Sequence, residues 1–589
     1  MNKVKLTLAS ILLGSIGLNA QQNLPKGTTD QEKLIERAYF ENYSSNSRGI
    51  TTPPTGNLRT AAEWEEVQAL VITWVGYYNT IQSKIVEAAQ QECEVYIVTD
   101  DQNAVASSLA ANGVTPANVT YITGDYNSIW VRDYAANTVY KDTVGDVLLV
   151  DWVYNRPRPD DDAMPTLHAA EAGIDLYETT ASPNDLVNTG GNWMVDGFGT
   201  AFASELINDE NAAGNPYNVS TKTEAQIDGI VQDFMGIDRY IKMPVLPYDG
   251  IHHIDMHMKL LDEETLLVSE YPQGVADGPQ IEANLQYVLS NFNSVYGTPY
   301  KVIRIPVPPS TGGLFPDNGG YYRTYSNNVI VNKTILLPTY REEYDTTAIR
   351  ILEDAMPGYT VVGIDVDNQG ENLISSSGAI HCITHTIGVE DPLLISHQSL
   401  TDTYDDLNPY QVSALVKHRS GINSATLYYK TSLSGSYSSI PMTYAGSDNW
   451  EANIPAQAAG TKVYYYVEGN ATSGKTQVRP MTAPTGYWEF EVLDANSILE
   501  DENLGLSLMD IYPNPANAIT AIPVNNLKAQ NISIKMFDML GNLIKVIYDG
   551  ILPQGEKNFF FDAGQHPSGA YFITLDNGET KLTQKLMIK

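Results

Sequence analysis

With only two cysteines, Cys93 and Cys382, in 589 residues, the chain has too few for the disulfide framework that staples small exported domains. Basic residues are also scarce. Thirty-five Lys and Arg stand against seventy Asp and Glu, a formal net charge of −35, which disfavours nucleic acid and anionic lipid as partners and suits cationic ligands or solubility outside a cell. Beyond the N-terminus, no stretch approaches the roughly 18 uninterrupted apolar residues that a membrane-crossing helix needs, so no membrane-spanning segment is expected.

At 43% hydrophobic and 18% charged, the chain can form several packed cores, and two to four domains are expected. Lys3 and Lys5, the apolar run Leu6 to Leu18 and the ending Asn19-Ala20 read as a signal peptide over 1–20. Residues 21–55 are polar, end in Thr51-Thr-Pro-Pro-Thr-Gly56 and show little periodicity, which predicts a linker or mobile arm with order beginning near Ala61.

From 56 to 395, short apolar strands alternate with helical stretches, giving an α/β catalytic domain. Strands are expected at Val67 to Val75, Val95 to Thr99, Val147 to Val153, Thr265 to Ser269, Val329 to Leu337 and Val361 to Ile364. Helices are expected at Ile81 to Ala89, Asn103 to Asn112 and Ala348 to Ala355. Cys93 reads as a small hydrophobe in a buried strand.

Between 396 and 493 the texture turns to aromatic-rich alternating strands, such as Ala425 to Lys430, Val463 to Val467 and Trp488 to Val492. This predicts an immunoglobulin-like β-sandwich without the antibody-type bridge. A linker at 494–508 precedes a small C-terminal β-sandwich at 509–589, with strands at Ile532 to Phe537, Leu543 to Ile547, Lys557 to Phe561, Ala570 to Leu575 and Lys581 to Lys589. Its motifs Tyr512-Pro-Asn-Pro515, Phe537-Asp-Met-Leu-Gly541 and Pro567-Ser-Gly-Ala-Tyr571 resemble the C-terminal sorting domains of type IX secretion substrates. That resemblance implies the type IX machinery as a partner, export through the periplasm, and a secreted or surface-attached product.

Four segments of the α/β domain concentrate polar residues. In Ser128-Ile-Trp-Val-Arg-Asp-Tyr134, Asp133 reads either as a strand-end carboxylate paired with Arg132 or as a functional acid. In Ile251-His-His-Ile-Asp-Met-His257, strand alternation would set His253, Asp255 and His257 on one face and His252 on the other. Those residues suit either a zinc site or an acid/base with a carboxylate clamp for a cation. Asn327 precedes an apolar strand, where turn chemistry alone accounts for most asparagines. Cys382 follows the Ser/Gly stretch Ser375-Ser-Ser-Gly378 and is flanked by His381, so it is either an inert thiol or a nucleophile.

Together these segments resemble the Porphyromonas-type peptidylarginine deiminases of the guanidine-modifying superfamily. The motifs Trp130-Val-Arg-Asp133, Gly190-Gly-Asn-Trp-Met-Val-Asp-Gly197, His253-Ile-Asp255 and His381-Cys-Ile-Thr384 occur in the family's order between Glu63 and Ile387. The resemblance implies a five-bladed α/β propeller and conversion of arginine in peptides or proteins to citrulline and ammonia without cofactor or metal. It assigns Cys382 as nucleophile, His253 as general acid/base, Asp133 and Asp255 as guanidinium-holding carboxylates, Asn327 as a supporting residue and Trp130 as part of the substrate site.

Such a set suits the chemistry, because a guanidinium is planar and permanently charged, and its central carbon is a poor electrophile until the charge is gripped and aligned with the sulfur. In Tyr154-Asn-Arg-Pro-Arg-Pro-Asp-Asp161, Arg156 and Arg158 match the arginines that bind a C-terminal arginine's carboxylate in the resembled enzymes. Thr189 stands where agmatine enzymes carry an acidic residue. Both features imply peptide-borne or free arginine, with C-terminal arginine preferred. The alternatives are an agmatine or free-arginine deiminase, a zinc hydrolase, and a non-catalytic surface protein that binds arginine or peptides.

Overall fold

Runs of Val, Ile and Leu too short for helices form the strands of residues 58–388, and polar-faced helices join them. The computed structural model describes residues 24–42, 48–493, 505–509, 511–517, 519–539, 541–578 and 581–589. The expected signal peptide and most of the 494–508 linker lie outside these. The described residues fall into two compact units, those within 24–303, 309–339 and 360–394 and those within 304–308, 340–359 and 395–589.

Five separate sheets occupy residues 58–388. A recurring pattern builds them, an antiparallel strand pair followed by a helical crossover to a parallel neighbour. Asn137–Lys141 pairs antiparallel with Val147–Tyr154, which then takes Asp175–Thr179 in parallel. Met194–Val195, Thr200–Ser204 and Arg239–Met243 repeat the arrangement, as do Val329–Val331, Thr334–Thr339 and Thr360–Asp365. A fourth sheet runs Met258–Leu260, Thr265–Glu270, Lys301–Pro306.

The remaining sheet places His385–Gly388, from the end of this stretch, antiparallel to Val67–Thr73 from its beginning, followed by Glu94–Thr99 and Val119–Thr123. First and last segments are thereby hydrogen-bonded together. Val147–Tyr154 is buried along its whole length, as a strand covered on both faces should be.

Several expectations are corrected. The single strand expected over Val329 to Leu337 is a hairpin, because Asn332 adopts φ 50° and turns the chain between two strands. Cys93 sits buried in the turn before its strand, and burial pushes its thiol up to about 12. The largest correction is at the N-terminus, where a helix spans Asp30–Asn42 within the stretch taken for a linker. Thr29 and Glu32 close a reciprocal capping box at its start. Phe40 packs with Val153 and Val187, and after it Ile50 bridges to Tyr177.

In the second unit, two antiparallel sheets follow one another over residues 394–492. One is ordered Leu394–Ser396, Tyr410–Lys417, Asn449–Ile454, Thr443–Gly446, and the other centres on Ile422–Lys430 and Thr461–Ala471. Val412, Ala414 and Val416 alternate inward along their strand. Residues 506–588 form two further sheets around a core of Ile522, Val524, Ile534, Phe561, Ile573 and Leu586. Among the described residues no helix is long and apolar enough to cross a membrane.

Candidate active site

Each polar segment singled out in the sequence lies in a link between one sheet of the first unit and the next. Asp133 occupies the four-residue helix Val131–Tyr134, not the expected strand end. Gly190–Asn192 forms a 3-10 turn just before Met194–Val195, and Ile254–Met256 forms another just before Met258–Leu260. The strand that would have aligned His253, Asp255 and His257 is therefore absent, and His252 sits at φ 61°. Among the described residues no group of three His, Cys, Asp or Glu is placed to hold a metal ion. Asn327 precedes the strand Val329–Val331, and Cys382 lies in the 3-10 turn His381–Ile383 that leads into His385–Gly388.

These links converge. Asn327 Nδ2 lies 3.3 Å from Cys382 Sγ, and the sulfur lies 3.7 Å from Asp255 Oδ2. Asp133 accepts the Gly191 N–H at 3.2 Å, and its Oδ1 lies 3.5 Å from His253 Nδ1. Gly191 is obligatory for this approach, because a Cβ there would stand 2.3 Å from His253 Nδ1. Gly378 likewise admits the Trp130 indole, whose ring a Cβ would meet at 2.4 Å. Cys382, His253 and Asn327 are fully buried, Asp133 and Asp255 nearly so.

Behind Asp255 runs a chain of charges that the sequence reading did not single out. His381 Nδ1 is 2.8 Å from Asp255 Oδ2 and its Nε2 is 2.7 Å from Glu63 Oε2. The ring thus bridges two buried carboxylates, one at each nitrogen. Glu63 also takes Lys259 Nζ and the Ile330 N–H, with Arg132 at 3.9 Å. Burial raises the Glu63 carboxyl, but Lys259, His381 and Arg132 outweigh it and hold it well below its ordinary value. Nothing local in Ala62-Glu-Trp64 signals this, since its partners lie roughly 70 to 320 positions away.

The site has an occupant from the chain itself. Lys26, entirely buried, donates from Nζ to Cys382 Sγ at 2.9 Å and lies 3.8 Å from Asp255 and 4.0 Å from Asp133. Burial opposes its charge, yet the two carboxylates and the sulfur outweigh burial and hold it as an ammonium. Its main chain is gripped as well. Trp130 Nε1 donates to Leu24 O, Arg156 Nε to Lys26 O, and Arg158 Nη2 to Pro25 O and Gly27 O. Arg158 also pairs with Glu32 at 2.7 Å. The two arginines expected to hold a C-terminal carboxylate thus hold main-chain carbonyls of residues 25–27 here.

Burial, aided by Asp255, pushes the Cys382 thiol up to about 12, with Lys26 opposing. His253 is held well below its ordinary value by burial and then by Lys26, and is therefore a neutral base. Asp255 is kept ionised because Lys26 and His381 outweigh its burial, whereas burial raises Asp133 despite Lys26. A neutral base, a thiol and two carboxylates around a bound cation form an arrangement suited to nucleophilic attack on a cationic carbon.

Comparison with known proteins agrees with this chemistry. The family model for Porphyromonas-type peptidyl-arginine deiminase matches residues 59–387, more than half of the chain, and that for the secretion system C-terminal sorting domain matches residues 510–589. Among curated proteins, a putative agmatine deiminase of Shewanella frigidimarina is 25% identical over 392 residues, covering 59% of this chain and 98% of the relative. One from Mycoplasma mycoides is 25% identical over 307 residues, covering 46% and 78%. The solved structure of the putative arginine deiminase from Porphyromonas gingivalis aligns at TM-score 0.48 and 20% identity, covering 56% of this chain and 98% of that one. The agmatine deiminase of C. jejuni aligns at 0.46 and 18%, covering 56% and 96%. The chain is a member of the Porphyromonas-type peptidyl-arginine deiminase family, whose enzymes act on guanidino groups, and it carries a C-terminal sorting domain that implies export.

Proposed function

We propose that the protein is an exported peptidylarginine deiminase that hydrolyses the guanidinium of peptide-borne arginine to citrulline and ammonia. The observation that carries this reading is the placing of a cation against Cys382 Sγ, between Asp133 and Asp255, while Arg156, Arg158 and Trp130 hold peptide carbonyls beside it. Agmatine has no main chain for those three donors. The five sheets are read as five propeller blades whose links supply the site, the sheets of residues 394–492 as an immunoglobulin-like domain, and residues 510–589 as the address for type IX export.

In the mechanism, Asp133 and Asp255 grip the guanidinium, and His253 takes the Cys382 proton as sulfur bonds to Cζ. Collapse of the tetrahedral adduct breaks one C–N bond, and the imidazolium returns its proton to the departing ammonia, leaving a thiouronium on Cys382. Water then loses a proton to His253 and attacks Cζ. The C–S bond breaks, the sulfur recovers the proton held by His253, and citrulline leaves as its new oxygen gives up its own proton to solvent, where ammonia takes one up as ammonium. Asn327 holds the sulfur in place throughout.

Because Lys26 fills the site, the test uses the Lys26→Ala chain and its Cys382→Ala derivative. Citrulline and ammonia are measured from a peptide ending in arginine, its amidated twin and agmatine. Release from peptides, abolished without Cys382, is expected, and the ratio between the twins measures any preference for a free carboxylate. Turnover of agmatine alone would place the protein with its agmatine-named relatives. Binding without release from any of the three would leave a non-catalytic arginine- or peptide-binding protein.

A further inference from the structure

We propose that residues 24–32 are a built-in pseudosubstrate, lying in the groove as a peptide with an internal arginine lies and keeping the enzyme latent until displaced. The proposal rests on the deiminase reading above and adds to it both a mode of regulation and a path for the substrate chain.

The first argument is the bond count. From Cα, Lys26 Nζ is the fifth side-chain atom along, and in arginine the fifth is Cζ, the carbon that the sulfur must attack. Nζ lies 2.9 Å from Cys382 Sγ, at the short edge of the roughly 3–3.5 Å of a near-attack contact. Arginine's terminal nitrogens extend about 1.3 Å beyond Cζ, as partial double C–N bonds do. Carboxylates at 3.8 and 4.0 Å from Nζ therefore come within charge-assisted hydrogen-bonding reach of them. Lysine supplies the charge but no electrophilic carbon, so the occupant binds without being consumed.

The second argument is the main chain. Carbonyls on both sides of the reacting position are held, Leu24 and Pro25 before it and Gly27 after it, and Lys26 N–H donates to Ser376 O at 3.0 Å. A groove that grips the chain beyond the reacting residue accepts an internal position. Gly27 passes close to Ile251, whose Cδ1 a Cβ would meet at 3.1 Å, so a larger residue after the arginine requires the end of the Ile251 side chain to move by a few tenths of an ångström.

The third argument is the anchoring. Glu32 caps its own helix while pairing with Arg158, and Phe40 fixes the far end of that helix in an apolar cluster. A tether this short gives the segment an effective concentration on the order of millimolar against any free peptide.

The experiment uses the exported chain unchanged and with Lys26→Ala or Lys26→Arg, intact mass confirming that the segment is still attached. The probes are a blocked Leu-Pro-Arg-Gly peptide and agmatine. Lys26→Ala is expected to raise peptide turnover roughly ten-fold or more, by removing a competitor present at millimolar effective concentration. Lys26→Arg is expected to convert its own residue 26 to citrulline, at a rate independent of protein concentration and abolished by Cys382→Ala. Equal peptide rates in the unchanged and Lys26→Ala chains would overturn the pseudosubstrate, as would a Lys26→Arg enzyme that turns over the free peptide while its own residue 26 stays unmodified. Silence of every form on both probes would instead bring down the deiminase reading on which it stands.

Discussion

Glu63→Gln tests whether the charge chain behind Asp255 matters to the reaction. The substitution keeps the shape and an acceptor oxygen for Lys259 and the Ile330 N–H, but it replaces the carboxylate oxygen facing His381 Nε2 by a neutral amide NH2. That weakens the hold on the ring whose contact 2.8 Å away helps keep the Asp255 carboxyl down. A hydrogen bond to a charged group contributes about 1.5–3 kcal/mol, and each 1.36 kcal/mol is a decade in rate, so kcat/KM should fall roughly 10- to 100-fold. The loss should be greatest at low pH, where an Asp255 no longer held down becomes protonated. The assay is citrulline release against pH in a Lys26→Ala background, with thermal unfolding to separate a folding defect. A Glu63→Gln enzyme within two-fold of its parent across the pH range would refute the reasoning.

Gly191→Ala places a methyl 2.3 Å from His253 Nδ1 and 3.0 Å from Asp133 Oδ1, so both shift by several tenths of an ångström or more. A misplacement of about 1 Å can cost on the order of 100-fold, and kcat should fall to that degree while circular dichroism stays native; a kcat near wild type would mean the links are softer than drawn. Glu210, hydrogen-bonded by Asn155 and Tyr217, has its carboxyl pushed up to about 7 by burial, against the pull of Arg156. The unfolded chain ionises near pH 4.3, so this group makes the folded state progressively less stable between about pH 4 and 7, and Glu210→Gln should gain up to about 3 kcal/mol on wild type over that window. Urea titrations at pH 4 and pH 8 that show a constant gap would contradict this.

Much of the fold was legible because apolar period is local. The strands at Glu94–Thr99, Val147–Tyr154 and Trp488–Val492 and the helix Asn79–Ala89 announce themselves in their own residues. Where turn geometry overrode pattern, the reading failed. Asn332 at φ 50° splits an apolar run that looks like one strand, and the His-x-Asp-x-His alternation that suggests a strand belongs to a 3-10 turn. The spacing of Asp133, Asp255, Asn327 and Cys382 along the chain makes sense only because each lies in a link between one sheet and the next, whereas Arg156 and Arg158 lie in a crossover within one sheet.

The N-terminal segment shows the limit more sharply. Thr29-x-x-Glu32 followed by Phe40 is a helix-start signal that could have been read. Lys26 gives no such signal, because its meaning lies in partners 107, 229 and 356 positions away, at Asp133, Asp255 and Cys382. A catalytic pocket with two buried carboxylates and a thiol is costly to leave without a cation, since burial works against the charge of every one of them. An ammonium on the chain's own N-terminal segment offsets that cost, and on the proposed reading the substrate's guanidinium does the same during turnover. On the proposed reading one physical demand, a cation for the pocket's charges, accounts both for the guanidinium substrate and for the lysine that stands in for it, so that competition between the two would follow from the pocket's charge rather than from any added regulatory part.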